Sequence, residues 1–113
     1  MNWSLQPKNV LVVAAHPDDE VLGCGGTIAR HSFAGDDVHV LIAAEGATSR
    51  LKERDPCKSS EELSALEQSA RSAGEILRAK SVELIGMPDN RLDSLDRLEI
   101  IKVIEQRIEF YKP

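Results

Sequence analysis

Residues 16–20 read His-Pro-Asp-Asp-Glu and stand at the end of an apolar run. An imidazole and a carboxylate three positions later, on a strand-to-helix turn, are able to converge on one metal ion. Nitrogen and oxygen donors of this kind suit zinc. A catalytic zinc keeps one position open for water and lowers its pKa to about 7. A neighbouring carboxylate then takes the proton. A plainer reading stands beside this one: a proline turn capped by aspartates, with His16 held by ordinary hydrogen bonds. Spacing alone leaves both readings open.

The elements that would position these residues follow from the hydrophobic pattern. Residues 10–15 are apolar and rich in valine, the pattern of a strand buried on both faces of a parallel sheet. Pro17 sets its own φ and pushes His16 out of helical geometry. A helix is expected from about residue 20 to 34, starting near Asp18 or Asp19, where an acid gains from the helix N-terminus. A turn at 35–37 leads to a second strand at 38–44. Residues 45–60 are polar and read as a long surface loop, a feature of compact domains that is often functional. Ser60 is placed to cap a second helix running to about residue 80, with Leu63, Leu66, Ala70, Ala73, Ile76 and Leu77 on one face. A third strand at 82–87, a polar loop and a last helix at 96–111 complete the order, with Leu98, Ile101, Ile104 and Ile108 on the last helix's apolar face.

This β-α-β-α-β-α alternation predicts an α/β, Rossmann-like three-layer sandwich with a parallel sheet. Residues 1–113 read as a single unit without repeats or linkers. A fourth strand beside the first would come next in such a fold, so the chain is expected to be truncated before it. The first strand would then keep an unpaired apolar edge, and self-association through that edge or through the last helix is expected. In open parallel sheets ligands bind beyond the carboxyl ends of the strands. His16, Asp18, Asp19 and Glu20 would lie there.

Bulk composition excludes several classes. The formal charge is −5 and aromatics make up 4% of the 113 residues. Neither feature suits a phosphate-binding or base-stacking surface, so no nucleic-acid partner is expected. No apolar stretch approaches the ~20 residues of a membrane span, and residues 1–9 lack the apolar core of a signal peptide. Cys24 and Cys57 are far apart, in neither a disulfide framework nor a zinc-finger spacing, so a reducing, cytoplasmic location is expected.

Other features have plainer readings. Gly23, Gly25 and Gly26 do not form a dinucleotide fingerprint, and the acids before them would repel a pyrophosphate. Close helix–sheet packing is the expected reason for these glycines. Cys24 is expected to be a buried core thiol and Cys57 an incidental loop residue. Asp89, Asn90, Arg91 and Asp93 form a polar turn after the third strand. They would also stand at the crevice end of the sheet. The charged run at 50–55 reads as solvated loop.

The stretch Ala-Ala-His-Pro-Asp-Asp-Glu-Val-Leu-Gly-Cys-Gly-Gly at 14–26 resembles the N-terminal signature of the PIG-L/LmbE-like family of zinc-dependent N-acetylglucosaminyl deacetylases. Gly-Met-Pro-Asp-Asn-Arg-Leu-Asp at 86–93 and Glu-Gly-Ala-Thr-Ser-Arg at 45–50 resemble later segments of the same family, in order. The resemblance implies a hydrolase that removes the N-acetyl group from an N-acetylglucosamine-type sugar conjugate. It implies metal ligation by His16 and Asp19, a general-base role for Asp18, and sugar binding by Asp89. Zinc is the implied cofactor, with ferrous iron the alternative. The Arg-x-x-Glu expected early in the second helix is replaced around Leu66 and Ser69, and Arg50 is the substitute candidate for substrate binding. The family's third metal ligand is a histidine after its fourth strand, beyond the end of this chain. His31 and His39 are expected too far from the crevice to replace it. The alternative is therefore a non-catalytic, truncated homologue that binds metal or sugar weakly or only self-associates. Glu20 is left with two readings, an acceptor that orients His16 or a residue that favours the helix start.

Overall fold

The computed structural model describes residues 6–44, 56–87 and 97–113. The elements are β1 (Asn9–Ala14), α1 (Asp19–Phe33), β2 (Asp37–Ala44), α2 (Pro56–Ile76), β3 (Ser81–Met87) and α3 (Arg97–Tyr111). The strands form one parallel sheet in the order β1-β2-β3. The expected α/β alternation is present.

β2 is central, and its sequence shows why. Val38, Val40 and Ile42 point to one face and Leu41 to the other, and none is more than 3% exposed. A strand buried on both faces tolerates apolar residues at consecutive positions. On the first face, Val10, Val12, Ala14, Val82 and Leu84 join Ile28 and Cys24 of α1 and Ala70 of α2 in one core. On the second face lie His39 and Glu83, which contact Tyr111 and Arg107 of α3. The sandwich thus has α1 and α2 in one layer and α3 in the other. Among the described residues β1 pairs only with β2, and Val13 on it is 46% exposed.

β3 carries a bulge near its end. Ile42 pairs with Leu84 and Ala44 with Met87, so one residue of β2 faces two of β3. Gly86 takes φ +77 there, a value that suits glycine.

Both helices of the first layer end in the same way. At the end of α1 the N–H of Asp36 donates to the His31 carbonyl (3.0 Å) and that of Gly35 to Ser32 (3.1 Å), with Gly35 at φ +94. At the end of α2 the N–H of Ala79 donates to the Gly74 carbonyl (2.8 Å) and that of Arg78 to Glu75 (3.0 Å), with Arg78 at φ 61. Both are Schellman closures. The second uses arginine where glycine is usual, which is why the sequence reading carried this helix to about residue 80 instead of Ile76.

Other expectations need correction. α2 begins at Pro56, not at Ser60, because proline is well suited to the first helical position. Cys57 and Ser60 therefore lie within the helix. Ile76, assigned to the buried face of α2, is 79% exposed. On α3, Ile101 and Ile108 are about half exposed, and the half-buried stripe is Ile100, Val103, Ile104, Arg107 and Tyr111. Arg107 and Tyr111 join this stripe because their stems and rings cover the sheet while their polar ends stay outside. A Cβ on Gly23 or Gly26 would meet nothing within 4 Å, so close packing does not explain either glycine among the described residues. Gly74 is the glycine that packing requires. Its absent Cβ would lie 2.5 Å from Cγ2 of Val82. Cys24 packs against the core as expected.

Candidate active site at the turn after β1

The turn between β1 and α1 is tied to the carboxyl end of the sheet. The Ala44 N–H donates to the Ala15 carbonyl (2.7 Å), holding the start of the turn beside the end of β2. Pro17 follows His16, and the chain then passes through Asp18 at φ 90, ψ −29 before α1 begins. A left-handed residue other than glycine costs about 1 kcal/mol or more, and Asp is among the residues that tolerate it best. The Asp18 carbonyl accepts from Leu22 (2.9 Å) and so starts the helical ladder.

Asp18 makes no side-chain hydrogen bond to the helix N-terminus. The plain capping reading is therefore not met for this residue. Asp19 turns back toward His16 instead. Its Oδ2 accepts from the His16 main-chain N–H at 3.1 Å and stands 3.4 Å from His16 Nδ1. Both side chains are substantially exposed, 38% for His16 and 52% for Asp19.

The 3.4 Å separation bears on the metal. It is longer than the usual hydrogen-bond range. Two donor atoms each about 2.1 Å from a tetrahedral ion lie about 3.4 Å apart. The pair thus has the donor types and the separation of two ligands sharing one ion. Among the described residues no third His, Cys, Asp or Glu joins them in a metal-binding group.

Glu20 differs from its neighbours in being only 6% exposed. Its Oε1 accepts from the Asp18 N–H at 3.0 Å, and its Oε2 is buried with no hydrogen-bond partner among the described residues. Burial pushes the carboxyl above its usual value of 4.5. Main-chain N–H groups of Asp18 and Glu20 oppose that shift, while the charges of Asp18 and Asp19 add to it. Glu20 thus bonds to the backbone of Asp18, the residue from which α1 starts. A signal for its burial was available: Glu20, Cys24 and Ile28 follow at intervals of four and share one helix face.

The other candidates separate clearly. His31 lies in the last turn of α1, with Nδ1 2.8 Å from Asp36 Oδ2. His39 pairs in register with Leu11 and Ser81, near the amino ends of the strands. Both lie at the end of the sheet away from residues 16–20, as expected. Asp89 and Arg50 fall outside the described residues, as do Asn90, Arg91 and Asp93.

Comparison with known proteins places this turn in context. A diacetylchitobiose deacetylase of Thermococcus kodakarensis is 36% identical over 103 residues, covering 88% of this chain and 37% of the relative. A 1D-myo-inositol 2-acetamido-2-deoxy-alpha-D-glucopyranoside deacetylase of Kineococcus radiotolerans is 39% identical over 89 residues, 76% of this chain and 22% of the relative. Among solved structures, the N,N'-diacetylchitobiose deacetylase of Pyrococcus horikoshii superposes with a TM-score of 0.79 at 22% identity, over 98% of this chain and 42% of that one. GalB, the 4-carboxy-2-hydroxymuconate hydratase of Pseudomonas putida KT2440, superposes with a TM-score of 0.76 at 28% identity, over 94% and 44%. The chain thus spans less than half the length of each of these proteins. The model of the PIG-L family, described as GlcNAc-PI de-N-acetylase, matches residues 11–113, and the chain belongs to that family.

Proposed function

We propose that this chain carries part of the active site of a metal-dependent hydrolase that removes the N-acetyl group from an N-acetylglucosamine-type sugar conjugate. The observation that carries the reading is the 3.4 Å separation of His16 Nδ1 and Asp19 Oδ2, at the carboxyl end of a parallel sheet. Two sequence relatives named as deacetylases of acetamido sugars support the substrate class. Zinc is the proposed ion, and ferrous iron is the alternative that the same donors accept. When bound, the ion supplies Lewis acidity toward the acetyl oxygen and acidifies water.

This chain's residues do the rest. His16 and Asp19 hold the ion, and Asp19 also fixes the His16 backbone through its main-chain N–H. Asp18, exposed and not engaged in capping, takes the proton of the attacking water. The water oxygen bonds to the acetyl carbon, the amide C–N bond breaks, the proton taken up by Asp18 ends on the departing nitrogen, and acetate and the free amine leave. Asp89 and Arg50 are the proposed contacts to the sugar. The proposed location is the cytoplasm. No helix among the described residues is long and apolar enough to cross a membrane.

A second reading rests on the likeness to the hydratase of Pseudomonas putida. Water activation would serve addition to a carbon–carbon double bond equally well. One assay separates the two. The protein at its natural length is incubated with N,N'-diacetylchitobiose and related acetamido sugars, and acetate and free amine are measured. Asp18→Asn is expected to lower kcat by roughly 10²–10⁴-fold with metal content unchanged. Undiminished hydrolysis by that variant would remove the assigned role, and no acetate from any acetamido sugar would remove the deacetylase reading.

A further inference from the structure

We propose that Glu20 is a positioning residue for Asp18, and that it works through the Asp18 backbone. The inference rests on the base role proposed for Asp18. Three observations converge on it. Asp18 is held at φ 90, a conformation that residues with a Cβ rarely adopt. The main-chain N–H of that same residue donates to Glu20 Oε1 at 3.0 Å. Glu20 is 6% exposed, and its second oxygen has no partner among the described residues. A buried carboxylate with one oxygen left unpaired is costly. Its other oxygen accepts from the strained residue, where a charged acceptor gives a hydrogen bond about twice as strong as a neutral one.

The geometry gives this bond a directional effect. Asp18 and Asp19 are adjacent, yet only Asp19 reaches back to His16. The left-handed turn at Asp18 separates the courses of the two side chains. Without the Glu20 bond the N–H at position 18 loses its acceptor, and the backbone relaxes toward an ordinary helical or extended conformation. Asp18 would then swing away from its place beside the ion held by His16 and Asp19. The two ligands do not bond to Glu20 and are tied to each other directly, by the His16 N–H donated to Asp19 Oδ2.

The test compares Glu20→Ala and Glu20→Gln with wild type, in the protein at its natural length. Gln keeps one carbonyl acceptor and guards against a variant that fails through lost packing. Amide hydrogen exchange at Asp18 is read by NMR, alongside zinc affinity, kcat and KM for an acetamido sugar. Glu20→Ala is expected to speed Asp18 exchange by tenfold or more and to lower kcat by tenfold or more. KM and zinc affinity are expected to stay within threefold, and Glu20→Gln to recover most of both losses. Unchanged exchange at Asp18 in Glu20→Ala would overturn the proposal whatever the activity. A wild type without deacetylase activity would overturn the functional reading instead, and the exchange measurement would still decide the role of Glu20.

Discussion

Arg107 of α3 holds Glu83 of β3 by two parallel hydrogen bonds, Nε to Oε1 and Nη2 to Oε2, each 2.6 Å long. This fork is one of the links between α3 and the sheet face opposite α1 and α2. The guanidinium keeps the Glu83 carboxyl below its usual 4.5, against a smaller opposing effect of burial. The pair is partly exposed, so its contribution is modest. Glu83→Gln is expected to lower stability by about 1 kcal/mol at pH 7. A lowered folded pKa means that the contribution is complete above 4.5 and is lost as pH falls through the folded value. Denaturant unfolding at pH 7 and pH 3 checks this. An equal loss at both pH values would show that packing, and not the ion pair, is responsible.

Gly74→Ala places a Cβ 2.5 Å from Cγ2 of Val82, across the contact between α2 and β3. Valine is stiff at χ1 and cannot simply turn aside. Alanine would gain helix propensity of about 1 kcal/mol, but the overlap is expected to outweigh it. A net loss of about 1–3 kcal/mol is expected. Adding Val82→Ala should make the pair of changes less damaging than their sum, which a double-mutant cycle on thermal unfolding would reveal.

His39 stacks on Tyr111, ring centres 3.9 Å apart, and its Nδ1 lies 2.8 Å from Ser81 Oγ. Burial holds its pKa below the usual 6.5, with Asp37 opposing and Lys80 assisting. The native form is thus the neutral ring. Its contribution is complete above 6.5 and is lost as pH falls through the folded value. Lowering the pH from 8 to 5 is expected to loosen the last turn of α3, seen as lower protection of the amides at residues 108–111 relative to their intrinsic exchange rates at each pH. His39→Phe keeps a stacked ring, removes the titration and should abolish that pH dependence. It should also cost about 1 kcal/mol for the Ser81 hydrogen bond.

The fold was legible because its signals are local and repeated. β2 needed only an apolar run interrupted once, at His39, and α1 only a turn of acids before a helical pattern. The ends of α2 were harder to read. Pro56 opens the helix four residues before Ser60, and Arg78 closes it without a glycine. On α3, Ile104 lies on the half-buried face as expected, but Ile101 and Ile108 do not, because Arg107 and Tyr111 bury their stems and rings there while keeping polar ends. At the site, residue types and spacing pointed to His16 and Asp19, and the structure brings those two together. Glu20 shows what spacing alone misses. A third acid in a row reads as one more helix-start charge until its burial and its bond to Asp18 are seen.

The central claim is that His16 and Asp19 hold one divalent ion. Calorimetric zinc titration of the protein at its natural length, beside His16→Ala and Asp19→Ala, tests it most directly. The account predicts one zinc per chain in the wild type and at least a hundredfold weaker binding in either variant. Equal zinc binding by all three proteins, or none by the wild type, would contradict it.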